Sequence, residues 1–183
     1  MNRDNALQLM HEYVQNESLR RHMLAVESAM RAYALTHGED VEKWGIVGLL
    51  HDFDYERWPN PPDHPTKGSE ILRLNQYPED VIYAILSHAD YLADYPRVSL
   101  LDKALYACDE LSGFLVACAL VRPDRLNGLE PKSVRKKLKN LSFAAAVNRS
   151  DITQGAEDFN VDLDVHIAFC VAALNSVSNQ LFD

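Results

Sequence analysis

The dipeptide His51-Asp52 closes the apolar run Ile46-Val47-Gly48-Leu49-Leu50 and sets an imidazole beside a carboxylate at the end of a segment that belongs in a core. Both side chains are ligands for first-row metals. Alone the pair carries little weight, because a histidine on an apolar face is more often a hydrogen-bonded core residue. Other inward-facing polar residues add to it. His22 stands among Leu19, Met23 and Val26, so helical periodicity turns it toward the apolar stripe. Asp109 follows Leu105 by one turn in the most apolar segment, where an ionised carboxylate needs a cation. Two imidazoles and two carboxylates suit zinc, iron or manganese better than calcium. His64, held between Asp63 and Pro65, and His88, on the face of Val81, Ile82 and Ile85, are candidates for a second metal position.

These residues need helices to present them. Apolar positions recur with helical spacing along almost the whole chain, and no segment alternates as a half-buried strand does, so the expected class is all-α. A first helix is expected from about Asp4 to Tyr13, and a second is capped within Gln15-Asn16-Glu17-Ser18 and stopped by His37-Gly38. Asp40 caps a third, whose face Trp44, Val47, Gly48, His51 ends on the His-Asp pair. Pro59, Pro61, Pro62 and Pro65 make WPNPPDHP a rigid loop. Helices follow at about Thr66–Asn75, Glu79–Ala89 and Ser99–Val121, the last being the central core element. Beyond it come a basic helix at Pro131–Lys139, a short segment Phe143–Val147, a helix from Asp151 to about Glu157 and a last helix from Leu163 to Leu181.

A chain of 183 residues can bury a real core in one domain. The expected organisation is a helical bundle over residues 1–122 with a small helical extension, 123–183, packed on it. The three cysteines, Cys108, Cys118 and Cys170, are far apart in apolar surroundings, which suits a reducing compartment rather than disulfides. With neither a signal-peptide pattern nor an apolar run of membrane length, a cytoplasmic location is expected. A net charge of -9 argues against nucleic acid polymers and anionic membranes as partners. An anionic substrate would need local help from a metal or a few basic side chains.

The order His22, His51-Asp52, His64, His88, Asp109 resembles the HD-domain superfamily of metal-dependent phosphohydrolases. The resemblance runs from about Leu19 to Leu120, through LRRHMLAVESAMRAYA, GLLHDFDYE, HPTKGSEIL, ILSHADY and KALYACDELSGF. The later stretch SVRKKLKNLSFAAAVNRSDITQGAEDF is similar to the tail of a small bacterial subgroup of the HDIG type. The resemblance implies an HD-type helical bundle in which His22, His51, Asp52 and Asp109 bind one metal. A second metal would use His64, His88 and a bridging Asp52. The ions implied are iron, manganese or zinc, with magnesium as a further candidate. A bound metal would activate a water against a phosphate ester or anhydride of a nucleotide or other small phosphorylated metabolite. Many relatives carry an apolar residue and then glycine after the pair, whereas this chain has Phe53-Asp54. Asp54 is read first as a helix terminator, with general acid–base work and orientation of a histidine as alternatives.

Asp52, Asp54 and Lys67 are the catalytic candidates, and Lys67, Lys103 and Arg57 the substrate-binding ones; both lysines lie in blocks that also hold a ligand candidate. The run Lys132, Arg135, Lys136, Lys137, Lys139, followed by Arg149, is either a phosphate receiver or a solvated helix face, the second being the commoner case. His11, His37 and His166 fall outside the ligand pattern. The rival readings are a di-iron oxygenase built on the same ligands and a non-catalytic metal-binding regulatory module. A homodimer is compatible with either.

Overall fold

The computed structural model describes residues 2–182, and all regular structure among them is helical. Ten helices run in order: α1 Arg3–Tyr13, α2 Glu17–His37, α3 Val41–Leu50, α4 Asp63–Leu74, α5 Glu79–Ser87, α6 Leu100–Leu120, α7 Pro131–Leu138, α8 Arg149–Asp158, α9 Leu163–Ser176 and α10 Ser178–Phe182. Among the described residues no helix is long and apolar enough to cross a membrane.

The boundaries follow local chemistry. The Asn16 side chain accepts from the backbone N–H groups of Ser18 and Leu19 to open α2, and Gly38, at φ 70°, closes it in the left-handed conformation that costs glycine little. Asp40 caps α3 through Glu42 and Lys43. Ser99 and Asp102 form a reciprocal capping box at the start of α6. The proline stretch behaves as its composition demands. Although α4 spans Asp63–Leu74, His64 and Pro65 within it are non-helical, and His64 is extended as the residue before a proline must be.

One expectation is corrected: the final helix breaks at Val177 into α9 and α10, while the short segment Phe143–Val147 lies in a run of turns over residues 141–146. Nothing in the local sequence beyond the β-branched Val177 marks that break.

The core gathers around α2, α3 and α6. Leu105, Leu111, Phe114 and Leu115 of α6 are fully buried, each stabilising the fold by about 1.5–3 kcal/mol relative to exposure. Helix α3 is buried over most of its circumference and lies tightly on α2. Gly48 permits that approach, since a Cβ there would come within 2.9 Å of the Glu27 backbone nitrogen. The end of α3, and with it His51, is thus pressed against the helix that carries His22. The C-terminal helices are equally engaged: α8 packs on α6, and α9 on α2, α6 and α7. A Cβ on Gly155 of α8 would meet the Ala107 Cα at 2.8 Å. His166 of α9 is completely buried, accepts from the Tyr33 hydroxyl at 2.6 Å and donates through Nε2 to the Ala107 carbonyl at 2.9 Å.

Candidate metal centre

Two helices end on histidines held by one device. His51 follows the last residue of α3 and His88 the last residue of α5. Each turns its Nδ1 back to the carbonyl three residues earlier, His51 to Gly48 at 2.8 Å and His88 to Ile85 at 2.5 Å. A carbonyl can only accept, so Nδ1 carries the proton and, in the neutral ring, Nε2 presents a lone pair to the interior.

Those lone pairs converge with others. His51 Nε2 lies 3.1 Å from His22 Nε2 and 3.3 Å from Asp109 Oδ1, and His22 Nε2 is 3.0 Å from that same oxygen. Asp52 Oδ2 completes this group, 3.5 Å from His51 and 3.7 Å from His22. The other oxygen of Asp52 faces a second group. Asp52 Oδ1 is 3.3 Å from His64 Nε2 and 3.6 Å from His88 Nε2, which are themselves 3.3 Å apart. His22, His51 and Asp52, and separately Asp52, His64 and His88, each offer ligand atoms within 4.8 Å of one another.

Such convergence of acceptors demands cations. In the metal-free chain protons take that place. Burial opposes the charged form of His51, but Asp52 and Asp109 outweigh it and push its pKa up to about 9. His64 follows the same pattern, with burial against and Asp52 and Asp54 for the charged form, and also reaches about 9. Burial likewise disfavours ionisation of Asp52 and Asp109, yet the facing imidazoles, His51 foremost, hold both well below the usual carboxylate range. Four imidazoles and two carboxylates suit a borderline transition metal, so the donors present fit one or two such ions.

Asp54 has a different place from the metal-facing groups. It is fully buried, Oδ1 accepting from His64 Nδ1 at 2.7 Å and Oδ2 from the Gly68 N–H at 2.7 Å. Both oxygens are engaged, and the carboxylate orients His64 as the carbonyls orient His51 and His88. Gly68 is needed for this contact, because a Cβ would sit 2.8 Å from the Asp54 carboxylate. Tyr91 donates its hydroxyl to the His64 carbonyl at 2.5 Å, holding the same residue from its other side.

A cavity of about 520 Å³ opens beside both donor groups. Its walls include His22, Asp52, His64, His88 and Asp109, then Tyr55, Tyr91, Tyr106, Asp90, Glu110 and Asp151, and finally Ala146, Val147 and Asn148. No lysine or arginine is among the lining residues. Asp90 is paired with Arg97 at 2.6 Å and accepts from the Tyr106 hydroxyl at 2.9 Å. Burial and the charge of Asp109 push Glu110 up to about 7, and burial with Asp90 raises Asp151.

The structure therefore does not bring Arg57, Lys67 or Lys103 to the cavity wall. Arg57 donates to the Glu12 carbonyl at 2.7 Å and lies 3.8 Å over the Tyr13 ring. Lys67 leans toward Glu70 at 3.5 Å on the exposed side of α4. Lys103 is on α6, one turn before Tyr106, and its side chain does not line the cavity. The basic run lies on α7, which buries only Val134; Arg135 pairs with Asp164 at 3.2 Å, and Lys137 covers the Phe143 ring. Sequence reading missed Glu110, Asp151, Tyr106 and Asn148. Glu110 had a signal in being the neighbour of Asp109, but Asn148 and Asp151 reach the cavity only through the tertiary fold.

Fold and site together define an all-helical protein with a cluster of histidines and aspartates that could hold a metal ion. The HD domain profile matches residues 19–113, just over half of the chain, and the chain belongs to that family. The matched segment contains every histidine and aspartate of the two donor groups. Members of the family are mostly metal-dependent phosphohydrolases. Searches of curated proteins and of solved structures returned no match.

Proposed function

We propose that this protein is a metal-dependent phosphohydrolase that cleaves a small phosphate ester. The observation that carries the reading is Asp52, whose two carboxylate oxygens face two separate groups of nitrogen and oxygen donors. His22, His51, Asp52 and Asp109 would hold one divalent ion, and His64, His88 and Asp52 a second. An ion so bound supplies Lewis acidity toward a phosphoryl oxygen and brings the pKa of water from ~15.7 toward ~7.

The chain's own residues prepare the site. The Gly48 and Ile85 carbonyls and the Asp54 carboxylate keep the Nδ1 protons of His51, His88 and His64, so that all three present Nε2 inward. The Tyr55, Tyr91 and Tyr106 rings offer apolar faces to the organic part of a substrate. With no lysine or arginine on the walls, an anionic substrate depends on bound metal for attraction, and the carboxylates of Glu110 and Asp151 disfavour additional negative charge. The favoured substrate class is therefore a monoester with a neutral or cationic remainder rather than a polyphosphate.

One test is elemental analysis of protein purified without chelators, followed by a phosphate-release screen over monoesters and nucleoside di- and triphosphates. Turnover only with metal, and faster on monoesters, is expected. A fully metallated sample inert across the screen would remove the reading.

A second reading is favoured by the same bare wall. The lack of a phosphate-gripping lysine or arginine suits a di-iron oxygenase using this donor set on a less anionic substrate. Iron content with substrate-dependent oxygen uptake would select it, and turnover with manganese or zinc in the absence of oxygen would reject it.

A further inference from the structure

Residues 140–148 connect α7 to α8 without a helix of their own, yet they supply Ala146, Val147 and Asn148 to the cavity wall. Such a connection has little intrinsic order. Arg149, the first residue of α8, provides it. Its Nη1 donates to the carbonyls of Ala144 at 2.6 Å and Val147 at 2.5 Å, and its Nη2 to the carbonyl of Phe143. One guanidinium thus gathers three carbonyls of one loop. It does so around Ala144, which at φ 44° occupies the left-handed region that a residue with a Cβ enters only when its surroundings require it.

The gathered loop is fastened to α6 at two places. Phe143 meets the buried Phe114 edge-on, with centroids 5.6 Å apart, and the Arg149 guanidinium lies 5.3 Å from the same Phe114 ring. Phe114 follows Gly113, itself a lining residue beside His22. At the far end the Asn148 N–H donates to the Glu110 carboxylate at 3.2 Å, while its side chain caps α8 through Ser150. Arg149 is absent from the lining, both of its Nη groups donate to carbonyls and its Nε is buried without a partner, so receiving a substrate phosphate is not its work.

We propose that Arg149 is a positioning residue: by knitting loop 140–148 onto α6 it holds Ala146–Asn148 as a substrate-contacting wall, and it governs substrate affinity without touching metal or substrate. The enzymatic side of this rests on the phosphohydrolase reading above.

The test uses the full-length, metal-loaded protein and the best monoester of the screen, with metal content, kcat and KM measured for Arg149→Met, Arg149→Lys, Ala146→Trp and Ala145→Trp. Arg149→Met is expected to keep its metal and raise KM about tenfold or more at nearly constant kcat, the mark of lost ground-state binding. Arg149→Lys, which restores a cationic donor of poorer geometry, should recover part of that loss. Ala146 is exposed and lines the cavity, whereas Ala145 is exposed and does not. Trp at 146 should therefore raise KM and Trp at 145 should leave it alone. An unchanged KM in metallated Arg149→Met, or equal KM values for the two Trp variants, would overturn the proposal; the Trp pair decides if Arg149→Met does not fold. Hydrogen exchange over 141–148 separates failure of this proposal from failure of the phosphohydrolase reading. If the wild type hydrolyses no ester, faster exchange there in Arg149→Met with α6 unchanged still upholds the loop's dependence on Arg149, and equal exchange rejects it.

Discussion

The two donor groups that share Asp52 are built from different material. His22 and Asp109 project from the interiors of α2 and α6, each 21 residues long, and His51 from the end of α3, which lies tight against α2. His64 instead sits in the proline stretch, and His88 ends the nine-residue α5. The first group inherits its geometry from the core. The second depends on the Asp54–Gly68 clamp and on Tyr91. Since misplacing a ligand weakens coordination, the core-built group should bind the tighter ion and the loop-built group the more exchangeable one.

The largest expected effect abolishes both halves at once. Asp52→Ala should lose all bound metal and lower phosphate release by about a thousandfold or more, as seen by elemental analysis and initial rates. Unchanged metal content would remove Asp52 from the ligand set. Next, His22→Ala or Asp109→Ala should eliminate the tight ion, whereas His88→Ala should retain one equivalent. Metal titration that shows the same affinity in both halves would break the comparison.

Weaker still, Asp54→Ala or Gly68→Ala should reduce affinity for the second ion by about 10–100-fold and spare the first. Equal weakening of both ions would show that the clamp serves the whole centre.

A pH series sharpens the picture for metal-free protein. His51 and His64 have folded pKa values of about 9, above the ordinary 6.5, so their stabilisation is complete below about 6.5 and is lost as pH rises toward 9. Asp52 and Asp109 are depressed, so their contribution is present above about 3.9 and disappears as acid protonates them. Thermal unfolding should thus show a plateau between about pH 4 and 6.5 and a decline above it. Metal should cancel that decline, because it replaces the protons and binds more tightly as they leave. A metal-free Tm flat from pH 6.5 to 9 would contradict this. The smallest effect is assigned to Arg57→Ala, which frees the chain after α3 from α1 and should cost about 0.5–1.5 kcal/mol of stability with kcat and KM little changed.

His22, His51, His88 and Asp109 were legible because each interrupts an apolar face with a group that a core cannot hold alone, and His64 because prolines fix the loop that carries it. His22 among Leu19, Met23 and Val26 and Asp109 after Leu105 are cases in which helical periodicity alone gives the direction of a side chain. Cap chemistry placed the start of α2 within Gln15–Ser18 and that of α3 at Asp40. Contacts without a period were not legible. Asp54 reaches His64 only because the proline stretch folds back, and Gly68 shows its purpose only when that carboxylate lies against it. Arg149 followed a basic run and shared its reading, though the guanidinium binds backbone that no residue pattern identifies. Lys67 and Lys103 show the converse: standing near a ligand in sequence does not bring a long side chain to the same cavity.

Ala107 precedes Asp109 by two residues and is touched twice from the chain's end, by the backbone approach of Gly155 and by the imidazole of His166. This makes the C-terminal helices poor material for exchange. A chimaera that joined residues 1–122 to the tail of a relative would have to import a glycine and a histidine in matching register, or leave a clash and lose the imidazole's hydrogen bond to the Ala107 carbonyl near Asp109. The two segments are therefore expected to be inherited as a pair, and recombination between them to be tolerated only where both of those residues travel together.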